Sequence, residues 1–177
     1  LRPMLASSAP DVAEALEGRG ELVLDSKLDG IRIQAHKIGA DVRLFTRTLD
    51  DVTERMPEAV EELSALPAEQ AVFDGEVIAL HPDGRPHPFQ VTGARTASSA
   101  DPERLRNEVP LTTYLFDLLH LDGQDLLDEP FARRWDALAT LAPHLLVPRT
   151  VTGDVEEARA FFTQRVGAGH EGVVVKD

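Results

Sequence analysis

The chain has 177 residues, 42% of them hydrophobic and 28% charged, which excludes a disordered segment and predicts one domain or two small lobes sharing a cleft. It has no cysteine, so disulfides, thiolate metal sites and a cysteine nucleophile are excluded. A net charge of −13 argues against a free-standing nucleic-acid binder, no apolar run approaches the ~20 residues of a membrane span, and a cytoplasmic enzyme domain is expected.

Residues 2–6 read as an extended lead-in. A short helix is predicted over 11–17, with Asp11 as N-cap and Gly18 closing it, followed by a strand over 21–26. Ile31, Ile33 and Ala35 alternate with Arg32, Gln34 and His36. That half-buried strand turns at Gly39 into a second alternating run, Val42, Leu44 and Thr46, and the two read as a hairpin. Residues 57–66 read as a helix opened by Pro57. A strand over 71–80 is expected to break at Asp74-Gly75 and to end in a turn over 81–84. Residues 84–99 carry few helix or strand signals and read as a surface connection.

A short helix over 101–108 precedes the strongest strand, 111–121, which Asp122-Gly123 closes. Residues 130–141 read as a helix with proline at its start. A strand over 145–151 contains Pro148, which favours a sheet edge. Asp154 and Glu157 stand at capping-box spacing at the start of a helix over 154–166, and Gly167 and Gly169 end it. A last strand covers 171–176. Hairpins, rather than strict strand–helix alternation, predict an α+β fold of mostly antiparallel sheets flanked by helices.

Lys27 stands at the end of an apolar strand and in front of Asp29-Gly30. Only Lys27, Lys37 and Lys176 are lysines, while arginine is plentiful. A lysine can lose its proton and attack an electrophile, which an arginine cannot do. Asp29 and Gly30 shape a turn, the aspartate by bonding its own backbone and the glycine by tolerating positive φ. Read singly, these residues have ordinary explanations: a solvated lysine, solvated carboxylates at Glu76 and Glu171, core packing for Phe116. The six histidines make no metal-ligand spacing.

Read together they form a series. Lys27-Leu28-Asp29-Gly30-Ile31-Arg32, Phe45-Thr46-Arg47, Phe73-Asp74-Gly75-Glu76, Tyr114-Leu115-Phe116-Asp117 and Glu171-Gly172-Val173-Val174-Val175-Lys176 each fall at a strand or strand end. In this order they resemble the motif series of the ATP-dependent DNA ligases, within the covalent nucleotidyltransferase superfamily. The resemblance runs from residue 3 to Lys176. It implies a nucleotidyltransferase (ATP-grasp-like) fold with the ATP cleft between sheets. It also implies that Lys27 attacks the α-phosphate of ATP to give a lysine–AMP intermediate, from which AMP passes to the 5′-phosphate of nicked double-stranded DNA.

By the same resemblance, Arg32 contacts the ribose or a DNA phosphate, and Arg47 contacts phosphate or the nick. Glu76 binds ribose and helps hold metal, Glu171 holds metal (Mg²⁺ or Mn²⁺), Phe116 stacks on adenine, and Lys176 meets the α-phosphate. Asp25 stands where the family has an adenine-reading glutamate, one methylene longer. A free lysine with a pKa of about 10.4 is neutral only about once in 2,500 at pH 7, a handicap of roughly 4.6 kcal/mol. Positive charge from Arg32, Arg47, Lys176 and a bound metal would reduce it and would neutralise the phosphates.

Glu171 and Lys176 are an odd number of residues apart, which sends them to opposite faces of a regular strand; a bulge at Gly172 would bring them together. The family continues past this point, with a further phosphate-gripping block and an OB-fold domain, and its bacterial and archaeal type has a preceding DNA-binding domain. The 177 residues are therefore expected to be an adenylation core incomplete at the C-terminus, monomeric, unable to seal nicks alone and adenylating slowly if at all. Two other readings stand beside this one. RNA ligases and capping guanylyltransferases use the same covalent lysine. An inactive homologue serving as an interaction module predicts degraded motifs, whereas Lys27, Glu76 and Glu171 are all in place.

Overall fold

The structure is a computed structural model that describes residues 4–177, and part of the expected lead-in, residues 2 and 3, lies outside the described residues. In chain order the elements are α1 (Val12–Leu16), β1 (Leu22–Lys27), β2 (Ile31–Ile38), β3 (Asp41–Thr46), a 3₁₀ turn (Thr53–Arg55), α2 (Pro57–Ser64), β4 (Gln70–Ala79), α3 (Phe89–Ala97), α4 (Pro102–Glu108), β5 (Leu111–Leu121), β6 (Gln124–Asp125), α5 (Phe131–Leu141), β7 (Arg149–Thr152), α6 (Val155–Gly167) and β8 (Gly172–Lys176). The fold is α+β, and every ladder between these strands is antiparallel, as the hairpin pattern predicts. Two compact units form: Gly30–Leu146, and a smaller one made of Met4–Asp29 with Val147–Asp177.

The larger unit is built on a five-stranded sheet in the order β3-β2-β4-β5-β6. Strand alternation sends Ile33 and Ala35 of β2, and Phe73 and Val77 of β4, to one face, where they are buried with Leu115 and Leu118. α2 places Ala59 and Leu63 in the same core, and α5 adds Leu138. Each large side chain fully buried there contributes roughly 1.5–3 kcal/mol. β5 ends where the sequence says, because Asp122 and Gly123 both have positive φ, 45° and 86°, and turn the chain into β6.

Four expectations about this unit are corrected. The region read as a surface connection contains α3. Its Thr92, Gly93 and Thr96 are poor helix formers, and tertiary contacts hold it: the Thr92 hydroxyl accepts the Ala79 N–H at 3.1 Å, and Arg95 pairs with Glu58. β4 runs unbroken through Asp74-Gly75, and the irregularity falls in its pairing with β5. The half-buried reading of β2 is too simple, since Gln34 and Lys37 are buried. The Lys37 ammonium donates to the carbonyls of Gly39 and Ser64 at 2.5 and 2.7 Å. Gly30 does not have positive φ; it is glycine because a Cβ would lie 2.3 Å from the Val77 carbonyl oxygen.

The smaller unit is a three-stranded sheet in the order β7-β1-β8, so β7 is an edge strand as Pro148 predicts, although it begins at Arg149 rather than at 145. Leu22 and Leu24 of β1 are buried with Val12 and Leu16 of α1 and Ala158 of α6. Asp154 caps α6 by accepting the N–H groups of Glu156 and Glu157, both at 2.9 Å. The Glu157 carboxylate is instead taken by the Thr152 hydroxyl at 2.6 Å, and that hydroxyl accepts the Asp154 N–H at 3.0 Å. The other face of β1 carries Val23, Asp25 and Lys27, opposite to the face of Leu22 and Leu24.

Candidate active site

In the smaller unit, the apolar run of β1 carries the chain to Lys27 at its last position, half of whose side chain is exposed. The β1–β8 register pairs Lys27 with Gly172, Asp25 with Val174 and Val23 with Lys176. Paired residues share a face, so Asp25, Lys27 and Lys176 lie on one side of the sheet. Glu171 precedes the ladder; its N–H donates to the Lys27 carbonyl at 3.1 Å, and its carboxylate accepts from the Lys27 ammonium. The register is continuous, so no bulge reconciles Glu171 with Lys176. Gly172 does so with φ 141°, a conformation side chains rarely adopt, and a Cβ there would meet the Phe162 ring at 2.8 Å.

Asp25 is buried two residues before the Lys27 end of β1. Its carboxylate accepts Arg149 Nε at 2.6 Å and Nη2 at 2.8 Å, a fork that matches carboxylate geometry, and Lys176 Nζ at 2.7 Å. The β1–β7 register puts Arg149 directly opposite Asp25. Sequence reasoning did not find Arg149. The only signal was its position next to Pro148, at the start of an edge strand that faces the Lys27 strand.

In the larger unit, the β2–β4 register pairs Arg32 with Glu76 and Gln34 with Asp74, which sets Arg32, Asp74 and Glu76 on one face. The Arg32 guanidinium forks onto Asp74, Nε to Oδ1 at 2.9 Å and Nη2 to Oδ2 at 2.5 Å. Those bonds to Asp74 hold Arg32 above its ordinary pKa against the opposing effect of burial. Half-buried Glu76 accepts the Gly30 N–H at 2.7 Å, which ties it to the Asp29-Gly30 turn.

β5 pairs Asp117 with Asp74 and Leu115 with Gly75, so Phe116 is the extra residue of a β-bulge. Phe116 is half-buried rather than a core residue, and the Arg32 guanidinium carbon lies 5.5 Å from its ring centroid. Gly75 permits this close pairing, since a Cβ would lie 2.5 Å from the Tyr114 carbonyl oxygen. Asp74 and Asp117 are buried carboxylates facing each other across the ladder, an unfavourable pairing that one arginine each offsets. Arg32 serves Asp74, and Arg134 serves Asp117 at 2.8 and 2.9 Å. Arg47 lies exposed in the turn after β3.

In the smaller unit Lys27, Arg149 and Lys176 outnumber the Asp25 and Glu171 carboxylates they bond, which leaves positive charge for an anionic phosphate ligand; in the larger unit Arg32 and Arg134 are each matched by a buried aspartate. Among the described residues no three histidine, aspartate or glutamate side chains form a metal cage. Glu76 and Glu171 are carboxylates, the hard oxygen donors suited to Mg²⁺ that keeps water and phosphate ligands. No helix of the described residues is long and apolar enough to cross a membrane.

A family model described as "ATP dependent DNA ligase domain" matches residues 3–177. A protein of Nocardioides sp. named "Probable DNA ligase" is 54% identical over 177 residues, covering 98% of this chain and 33% of that protein. The chain spans about a third of the length of the curated relatives it matches. Among solved structures, the ligase domain of LigD from M. tuberculosis is 30% identical with a TM-score of 0.67, covering 88% of this chain and 48% of that one. A mycobacterial DNA ligase D complexed with ATP and MES shares the fold at 24% identity and a TM-score of 0.63, over 88% of this chain and 48% of that one. The strand-borne lysine and the order of its neighbouring blocks accord with a match over nearly the whole chain: it belongs to the family of ATP-dependent DNA ligase domains.

Proposed function

We propose that this chain carries the nucleotidyl-transfer chemistry of an ATP-dependent DNA ligase, with Lys27 as the nucleophile. The neutral amine attacks the α-phosphorus of ATP; a P–N bond forms, the bond to pyrophosphate breaks, and pyrophosphate leaves. AMP then passes from Lys27, as the P–N bond breaks, to the 5′-phosphate at a nick in double-stranded DNA, and the 3′-hydroxyl displaces AMP from that phosphate to seal the nick. The observation that carries this reading is the end of β1, where Lys27 bonds to Glu171 and shares its face with Asp25 and Lys176.

The remaining roles follow from position and chemistry. Phe116, half-buried at a bulge, offers a ring for the adenine to stack on. Asp25 reads the base, Arg32 and Arg47 meet ribose or phosphate, and Lys176 meets the α-phosphate. Glu76 contacts the ribose. Glu76 and Glu171 are each a candidate carboxylate ligand for Mg²⁺ beside the nucleotide's own phosphate oxygens, and the ion would supply charge neutralisation at the triphosphate. The protein acts as a monomer, in the cytoplasm.

Intact-mass measurement after incubation with ATP and Mg²⁺ tests the reading. One added AMP on the wild-type chain and none on Lys27→Ala is the expected result. GTP in place of ATP separates a capping guanylyltransferase, which would label with GTP. A wild-type chain that stays unlabelled after prolonged incubation overturns the assignment and favours an inactive interaction module.

A further inference from the structure

Asp25 holds two cations at once, and they differ in kind. Arg149 makes two parallel bonds to both oxygens, and its side chain is 8% exposed against 3% for Asp25. Lys176 reaches Asp25 through Oδ2, and its side chain is 22% exposed. A planar guanidinium fork fixes the plane of a carboxylate; an ammonium on a four-carbon stem is a point charge that can swing away. Arg149 is also fixed through its backbone, directly opposite Asp25 in the β1–β7 ladder.

A carboxylate has about four acceptor positions, and these three bonds fill three of them. If Lys176 moves to a phosphate, a second position opens on Oδ2 while Arg149 keeps the carboxylate in plane. A carboxylate so held offers acceptors and no donor. It therefore suits a base with an amino group at carbon 6 and repels one with an oxygen there.

We propose that Arg149 is a positioning residue that sets nucleotide selection: it holds Asp25 as an acceptor for the adenine 6-amino group, while Lys176 leaves Asp25 for the phosphates. This rests on the nucleotidyl-transfer reading above and adds to it a residue, Arg149, that acts through Asp25. It also divides the two cations by duty. Arg149 governs which base is accepted; Lys176 governs how fast the α-phosphate reacts.

The test compares ATP with ITP, which carries a 6-oxo group in place of the 6-amino group, in AMP or IMP transfer to Lys27. The wild type is expected to prefer ATP at least about tenfold in kcat/KM, the size of one lost bond to a charged group. Arg149→Met is expected to raise KM for ATP about tenfold, erase most of the preference over ITP, and leave kcat within about threefold. Arg149→Lys, which keeps charge but not the fork, is expected to recover part of the preference. Lys176→Ala is expected to lower kcat with the preference kept.

A preference unchanged in both Arg149 variants, or kcat and KM lost together with the preference intact, overturns the proposal and leaves Arg149 a structural ion pair. Thermal melting identifies a variant that fails to fold; Arg149→Lys then decides alone. A wild-type chain that labels while the Arg149 variants keep its preference removes only this proposal. A wild-type chain that takes no label from ATP removes the nucleotidyl-transfer reading and this proposal with it.

Discussion

Arg32 on β2 and Asp74 on the neighbouring β4 are joined by two bonds of 2.9 and 2.5 Å, with the guanidinium carbon 5.5 Å from the Phe116 ring centroid. Asp74 is buried, while Arg32 keeps some access to solvent. Asp74→Asn preserves size but turns an N–H₂ group toward the guanidinium and removes the compensating charge. Losing one partner of a fully buried pair costs about 3–5 kcal/mol, and the partial exposure of Arg32 reduces this to about 2 kcal/mol. Urea denaturation is the measurement, and a loss under about 0.5 kcal/mol would show that the pair does not hold the guanidinium.

Two glycines of the blocks are fixed by space, and substitution can separate this from backbone conformation. A Cβ on Gly30 would lie 2.3 Å from the Val77 carbonyl oxygen, and one on Gly75 would lie 2.5 Å from that of Tyr114. Neither obstacle is a flexible side-chain end, so the strands must part. Gly30→Ala and Gly75→Ala are each expected to destabilise by about 2 kcal/mol or more. At Gly20 a Cβ meets nothing within 4 Å, and Gly20→Ala should stay within about 0.5 kcal/mol of wild type. Equal midpoints for Gly20→Ala and Gly30→Ala would refute the steric account.

What could be read from the chain alone, and what could not, divides along the range of the interactions. The Asp122-Gly123 turn, the Asp11 and Asp154 caps and the Pro148 edge are decided by neighbours in sequence, and they came through. The strands that carry the blocks were equally legible, because each is a short alternating or apolar run: Lys27 ends β1, while residues 73–76 and 114–117 lie inside β4 and β5. The Asp74 partner of Arg32 is 42 residues away and the Asp25 partner of Arg149 is 124 away, so only strand register brings them together. Gly30 was assigned to the wrong cause because a clash with Val77, on another strand, leaves no local trace. α3 escaped because the residues it buries are Thr92, Arg95 and Thr96, which give no apolar stripe.

Glu62, on α2, provides a pH dependence with a definite sign. Burial, the largest cause, raises its carboxyl above the ordinary value of 4.5. Between 4.5 and the raised value the native state holds the proton that the unfolded chain releases, so stability falls as pH rises across that window. Above the window the destabilisation is complete. Glu62→Gln removes it, so the variant should be more stable than wild type near pH 7.5, with the gap closing below about pH 4. Urea midpoints at the two ends measure this; a gap that is constant with pH would assign the effect to something other than the titration of Glu62.

The Glu58–Arg95 pair is one of the tertiary contacts that hold α3, and it is testable as a coupling. Arg95 Nη2 reaches both Glu58 oxygens at 3.1 and 3.2 Å, and Nη1 reaches the Arg55 carbonyl at 2.8 Å. Glu58 also accepts the Leu111 N–H at 3.1 Å, so one carboxylate fastens α3, α2 and the start of β5. Arg95→Met leaves that carboxylate buried without its cation and is expected to cost about 3–5 kcal/mol. Glu58→Gln keeps an acceptor for Leu111 but strands the guanidinium, with a similar loss. The double variant should lose less than the sum by about 1–3 kcal/mol, because neither charge is then left alone. Hydrogen exchange gives a second readout: amides of Phe89–Ala97 should lose protection in Arg95→Met before those of β5 do. Strict additivity of the two substitutions, with α3 still protected, would mean that the helix stands on its own propensity, which its Thr and Gly content argues against.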